Sequence, residues 1–210
     1  MTSILTARDW ELVDTLTGRI RILALDQLRK LWQVSARNRR MVARRMRAIA
    51  DAGLIEVHTI NAHLLNSQTP LFAWQPGHAD PHPRQVSEAA RSRWEFAAEP
   101  VEVCVATSRA ANLLGSTAAG LPKLEHRDHD LLLATVFVHF HIHHPQAAAC
   151  WVGEHRLPKA GYRVKDPDAF LCDGRGTVRC VIESGGSYSP AQVQNFHEHC
   201  AERELPYQLW

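Results

Sequence analysis

Apolar positions recur at helical spacing through the first fifty residues and then switch to alternation. Ala7 to Leu16 carries Trp10, Leu12, Val13 and Leu16 on one side, and Asp26 to Trp32 carries Leu28, Leu31 and Trp32, so two short amphipathic helices are predicted. Between them, Arg19 to Leu23 reads as a brief strand or a connection. From Ser35 to Gly53 the period is clearest. At about 100° per residue Val42, Met46, Ile49 and Ala50 fall on one face, and Arg37, Arg40, Arg44 and Arg47 on the other. Ser35 suits the N-cap, and Gly53 suits the residue just past the helix end. Leu54 to Ile60 then alternates with β-branched residues, and Pro70 to Trp74 is a second apolar run across a polar loop holding His63, Asn66, Ser67 and Gln68. Read together, these predict two helices, an Arg-rich third helix and a two-stranded ribbon.

That order is the one a winged helix-turn-helix requires, with the third helix in the major groove and the ribbon loop at the backbone or minor groove. Charge sharpens the expectation. Residues 1–60 carry 11 Lys and Arg against 6 Asp and Glu, a net of +5, whereas residues 61–210 carry 13 against 16, a net of −3. Guanidinium groups bind guanine O6 and N7 as well as phosphates, so Arg37, Arg40, Arg44 and Arg47 are the expected contacts to double-stranded DNA. Ser35, Asn38 (as a reader of adenine) and His63 (in the ribbon loop) complete the expected DNA-binding set. The alternative is a winged helix that meets another protein, its arginines simply solvated.

Gln75 to Pro83 contains three prolines and a glycine and breaks any regular element, which places a boundary there. The expected division is residues 1–77 as the DNA-binding domain, 78–124 as a linker with a connecting helix and strand, and 125–210 as a second domain. In the middle segment Val86 to Phe96 reads as a helix, Val101 to Ala106 as a strand, and Ser108 to Leu114 as a helix capped by Ser108.

In the last third, Leu131 to Ile142 fits a helix better than a strand, although Val136, Val138, Phe140 and Ile142 also alternate. Its end holds His139, His141, His143 and His144, which is either a polar helix end or a set of metal ligands. Strands are predicted at Ala149 to Val152, Ala169 to Cys172 and Val178 to Ile182, a helix at Pro190 to Glu202 with Ser189 as N-cap, and a last strand at Tyr207 to Trp210. The fold class is therefore α+β or α/β, with an α-β-β-β-α-β C-terminal half.

Asp168 opens the second of these strands and Glu183 ends the third. In the PD-(D/E)xK, or restriction-endonuclease-like, architecture such a pair holds a divalent metal, and a Lys two positions beyond the strand acid serves the attacking water. Here that position is Gly185. The plainer roles are turn initiation for Asp168 and acceptance of backbone N–H groups in the Ser184 to Ser187 turn for Glu183.

Through His129-Asp130-Leu131, Trp151 with Glu154, Pro167-Asp168-Ala169 and Ile182-Glu183 before a Gly/Ser turn, the chain resembles the replication-relaxation family of plasmids and mobile elements. The resemblance implies a winged helix-turn-helix followed by a nuclease-like domain, acting in replication control or transcription. The family often carries a further acid two positions beyond the strand Glu and a Lys in the following helix. This chain has Gly185 and no Lys from Pro190 onward, which implies an inactive domain kept for dimerisation or docking. The alternative is an active endonuclease in which Glu154, Asp168 and Glu183 hold Mg²⁺ or Mn²⁺ and Lys165 or His155 replaces the lysine. Duplex binding alone needs no cofactor.

The remaining composition narrows the setting. With 210 residues and 45% hydrophobic content the chain can bury a substantial core. Its five cysteines are scattered and form no Cys-x-x-Cys pair, which argues against a disulfide framework or a zinc ribbon and for a reducing cytoplasm, close to the nucleoid. The N-terminus does not read as a signal peptide, and the longest apolar run, Leu131 to Val138, is too short for a bilayer, so no membrane is expected. Because winged-helix readers often bind paired half-sites, a homodimer is expected.

Overall fold

The computed structural model describes residues 4–156 and 167–210, and over them the protein is a mixed α+β fold. Helix α1 (Ala7–Gly18) is followed by the two-residue strand β1 (Leu23–Ala24), α2 (Leu25–Leu31), a 3₁₀ turn at Ala36–Asn38, α3 (Arg39–Asp51) and β2 (Ile55–Ala62). The Arg-rich segment thus starts with a 3₁₀ turn, and its α-helix begins three residues later than its sequence suggests. Its end follows the sequence signal closely. Gly53 adopts φ +71°, its N–H reaches Ala50 O at 2.8 Å, and the Leu54 N–H reaches Ile49 O at 3.3 Å. This is a Schellman closure, which needs the left-handed conformation that glycine adopts without a Cβ penalty.

The ribbon pairs differently from the sequence expectation. Strand β4 (Glu99–Ala106), and not Pro70 to Trp74, lies antiparallel to β2 over eight residues, from Ile55 opposite Ala106 to Ala62 opposite Glu99. It also pairs with β1, so the first sheet runs β1-β4-β2. The physical reason is length and burial. Strand β4 offers β2 eight paired residues where Phe72–Trp74 could offer three, and Val103 to Ala106 is buried residue after residue, as a strand covered on both faces must be. The shorter run becomes β3 (Phe72–Trp74), which docks antiparallel on β8 (Tyr207–Leu209) at the edge of a second sheet ordered β3-β8-β7-β6-β5.

The chain therefore crosses between the sheets, and the expected divisions at 77 and 124 do not follow them. Residues 72–74 belong to the second sheet, while residues 99–106, expected in the linker, form the central strand of the first. Between them runs α4 (Pro83–Ser92), and after β4 comes α5 (Ser108–Leu113), capped by the Thr107 hydroxyl and not by Ser108.

Helix α6 (Arg127–His143) joins the two halves. Asp130 to Val138 and Phe140 are all buried, and a helix apolar on every side must lie inside the molecule. It packs against α2 and against α7 (Pro145–Ala149), within one continuous core that reaches from Leu12 to Trp210. Gln27 pins α2 to it. Its amide donates to Leu131 O at 2.7 Å and to the Thr135 hydroxyl at 2.8 Å, while its carbonyl accepts the Ala24 N–H at 2.8 Å. All of this buried amide's partners are thus supplied from within the core.

The C-terminal elements follow the expected order: β5 (Trp151–Gly153), β6 (Ala169–Cys172), β7 (Val178–Glu183), α8 (Pro190–Ala201) and β8. Strands β5, β6 and β7 run antiparallel in sequence, and α8 is the crossover that makes β8 parallel to β7. Ser189 is the expected N-cap with Pro190 in the first turn, and Gln192 completes a capping box with it. Among the described residues no helix is long and apolar enough to cross a membrane.

Candidate functional site

Two surfaces carry chemistry. The first is α3 with the turn before it. Val42, Met46 and Ile49 are fully buried, and Arg37, Arg40, Arg44 and Arg47 are exposed on the opposite side, as the periodicity requires. Arg39 lies 3.2 Å from Asp26 and Arg47 lies 3.8 Å from Glu102. Arg37, Arg40 and Arg44 have no ion pair among the described residues. Arg45, on the flank, is committed inward to Asp9 of α1, a buried carboxylate that also accepts from the Thr6 N–H and hydroxyl. Burial pushes the Asp9 carboxyl up, but Arg45 and Thr6 outweigh it and hold it below its ordinary range.

Ala36 and Ala43 form the small-residue floor of a cleft of about 700 Å³ with Arg37, Arg39, Arg40, Arg47 and Glu102 around it. Ser35 and Asn38 are exposed beside this cleft; Asn38 ends the 3₁₀ turn and occupies the N-cap position of α3 without a side-chain cap bond. His63 departs from its expected role. Its N–H and Nδ1 meet the Asp128 carboxylate at 2.8 and 2.7 Å, and Nε2 lies 2.9 Å from Phe96 O. With Trp94 and Phe96 edge-on, the imidazole ties the end of β2 to the start of α6, and neither ring nitrogen is free for a nucleic acid.

The second surface is an acidic centre at the base of β6 and β7, where Glu154, Asp168 and Glu183 come together with His129 and Asp130 from the first turn of α6. Asp168 and Glu183 are both almost fully buried. Asp168 Oδ2 accepts the Ser184 N–H at 2.6 Å and faces His129 Nε2 at 3.0 Å. On the other side of the ring, His129 Nδ1 lies 3.1 Å from Asp130 Oδ1. Glu183 accepts the Asp168 N–H at 3.3 Å and, very closely, the Tyr188 hydroxyl. The backbone N–H of Glu154 donates to Asp168 O at 3.0 Å, which fixes the turn after β5 against the start of β6.

An imidazole with a carboxylate at each nitrogen must donate from both, which makes it an imidazolium. Burial opposes the charge, but the hydrogen bonds and negative charges of Asp130 and Asp168 prevail and raise His129 to about 10. The Glu154 pKa is raised too, which for a carboxylate favours the neutral form. Burial raises its pKa, and the nearby Asp168 and Asp130 raise it further, against the pull of His129 and Arg21.

Asp168 Oδ2 and the Glu183 carboxylate are therefore occupied from within the protein. Asp168 Oδ2 holds His129 and the Ser184 N–H, Glu183 holds Tyr188 and the Asp168 N–H, and among the described residues no three His, Cys, Asp or Glu are grouped to hold an ion. Gly185, where the motif lysine would stand, is closed as well. A Cβ there meets Leu209 Cγ and Trp210 O at 3.3 Å. Lys165 lies outside the described residues. The Gly/Ser turn is stabilised as expected in kind, but its N–H at Ser184 goes to Asp168 and not to Glu183.

Sequence reasoning placed Glu154, Asp168 and Glu183 in one site, but it named His129 and Asp130 only as residues of the resemblance and Ser184 only as part of the turn beside Glu183, and it gave Tyr188 no role. The one available signal was the consecutive His129-Asp130 pair opening an otherwise apolar helix, where charged side chains need partners supplied from elsewhere in the fold. His139, His143 and His144 cluster at the other end of α6, with ring centres 4.7 and 5.9 Å from His139. Burial and the two neighbouring imidazoles lower the His139 pKa. Compared with protein-family models, curated proteins and solved structures, the chain gives no significant match to any of them.

Proposed function

We propose that this chain is a double-stranded-DNA-binding protein that reads the duplex with α3, acting in replication control or transcription of a plasmid or mobile element. The observation that carries this reading is the solvent face of α3, where Arg37, Arg40 and Arg44 stand exposed and without acidic partners among the described residues, opposite a face sunk in the core. Unpaired guanidiniums in a row beside a cleft match a phosphate backbone and the guanine edges of a major groove. The topology supports it too. Helix, strand, helix, helix, strand with the sheet order β1-β4-β2 is compatible with a winged helix-turn-helix whose wing is opened by the segment between β2 and β4.

The C-terminal half, α6-α7-β5-β6-β7-α8-β8, is compatible, apart from the short α7, with the α-β-β-β-α-β plan that the resemblance to replication-relaxation proteins implies. In this reading its acidic centre is structural, neutralised from within by His129, and the domain serves dimerisation or docking. The protein works as a homodimer in the cytoplasm, on the nucleoid. The convergence of Glu154, Asp168 and Glu183 is what favours the second reading, a metal-dependent endonuclease, and the donor set described above weighs against it.

The test is fluorescence anisotropy with a labelled duplex across a salt series, comparing wild type with Arg40→Ala, Arg44→Ala and the remote control Arg179→Ala. Loss of a base-reading arginine costs ~1–3 kcal/mol of affinity, and loss of a phosphate contact lowers the salt slope by about 1. Equal binding by all four proteins, or no binding at low salt, refutes the reading. Incubation with supercoiled plasmid and Mg²⁺ or Mn²⁺ separates the second: cleavage that Asp168→Ala abolishes establishes a nuclease.

A further inference from the structure

Behind α3, between α2, the turn at Ala36 and the C-terminal half of α6, lies a cleft of about 550 Å³ that the duplex reading leaves unused. This size falls within the range of small-molecule sites, and so does the lining: an apolar wall with a few convergent polar groups. The wall is Leu65, Val138 and Ile142. The polar side is Lys30, Arg29 and Arg39, facing a single carboxylate, Asp26, which lies 3.8 Å from Arg29 and 3.2 Å from Arg39. Three cations thus share one acid. Lys30 has no ion pair among the described residues, and its ammonium donates to the neutral Asn66 Oδ1 at 3.0 Å. His139 also lines the cleft, and its Nδ1 is buried without a hydrogen-bond partner among the described residues.

We propose that this cleft binds a small organic carboxylate with an apolar body. The carboxylate supplies the missing negative charge to Lys30 and Arg39, as a charge-assisted hydrogen-bond acceptor at the rim of an apolar wall where such bonds are strengthened. The apolar body lies along Val138 and Ile142, where it is removed from water. A bare anion gains only the first contribution and a neutral apolar molecule only the second. Ala36 and Arg39 border both this cleft and the arginine cleft, so an occupant sits directly beside the start of α3. Nothing in the site depends on α3 meeting DNA, and the test uses no nucleic acid.

The experiment is isothermal titration calorimetry of the full chain with octanoate and benzoate, with acetate and hexanol as probes lacking the body and the charge. One equivalent of octanoate or benzoate is expected to bind with Kd of about 10 μM to 1 mM, and acetate and hexanol at least about 10-fold more weakly. Lys30→Gln, which removes the charge at a partly exposed position, is expected to weaken binding about 10-fold, and Ile142→Trp, which fills the cleft, to abolish it. Circular dichroism confirms that each variant folds; should Ile142→Trp not fold, Lys30→Gln decides. Failure of both carboxylates to bind at about 10 mM overturns the proposal, as does acetate or hexanol binding equally well, or Lys30→Gln binding like wild type.

Discussion

Replacing His129 with alanine removes the cation that, among the described residues, bridges Asp130 and Asp168. Asp168 is 3% and Asp130 7% exposed at the side chain, so both carboxylates lose their neutralising partner in a place water scarcely reaches. Breaking a buried pair from one side costs about 3–5 kcal/mol; His129 itself is 27% exposed, and some solvent screening places the expected loss near the lower end, about 3 kcal/mol. For a chain of this size that is a fall of roughly 6–12 °C in Tm. The pH dependence is the sharper signature. His129 is raised from 6.5 to about 10, so its contribution is full below pH 6.5 and is lost as the pH climbs through 10. Urea denaturation of wild type from pH 6 to 10 is therefore expected to show stability declining towards the alkaline end, and His129→Ala is expected to lack that decline. A variant as stable as wild type at pH 7, with an unchanged alkaline slope, refutes the imidazolium bridge.

Three further outcomes follow from the packing. Phe137 is buried in the core shared by both halves, edge-on to Trp151 at 5.4 Å, so Phe137→Ala is expected to cost about 3–5 kcal/mol while circular dichroism and tryptophan fluorescence still report one coincident transition. Two separate transitions speak against the continuous core. Gly53→Ala forces a Cβ into a left-handed residue and brings it 3.3 Å from Arg109 Nη1, for an expected loss of about 1–2 kcal/mol by urea denaturation. Arg40→Ala and Arg44→Ala, by contrast, are expected to leave thermal stability within about 0.5 kcal/mol of wild type, so that any change in duplex binding reflects the surface alone.

Local periodicity carried much of the fold. The two faces of α3, the Gly53 stop, the Ser189-Pro190 start of α8 and the order of elements after residue 127 were legible because each depends on residues within a turn or two of one another. Helix α6 was ambiguous for the same reason: buried on every side, it has no polar stripe to betray a period. Strand partnership lay beyond reach. Pro70 to Trp74 is near β2 in sequence, but only the assembled sheets show that β4 matches β2 in length and burial while β3 completes the edge beside β8.

The acidic residues of the second half divide in the same way. Strand ends alone brought Asp168 and Glu183 to one place, whereas His129 and Asp130 reach it from a helix some forty residues earlier. Whether a carboxylate there stands ready for an ion or is already neutralised depends on which cation the packing delivers, and a linear chain does not encode that distance. His63 makes the same point in reverse: its loop position suggested an outward role, and the approach of Asp128 and Phe96 turned it into a tie. The sequence by itself determined the helices, the strands and the arginine face, because these are set by neighbours along the chain. Tertiary structure decided strand pairing and the charge state of the buried centre, because both depend on groups that meet only when the core closes.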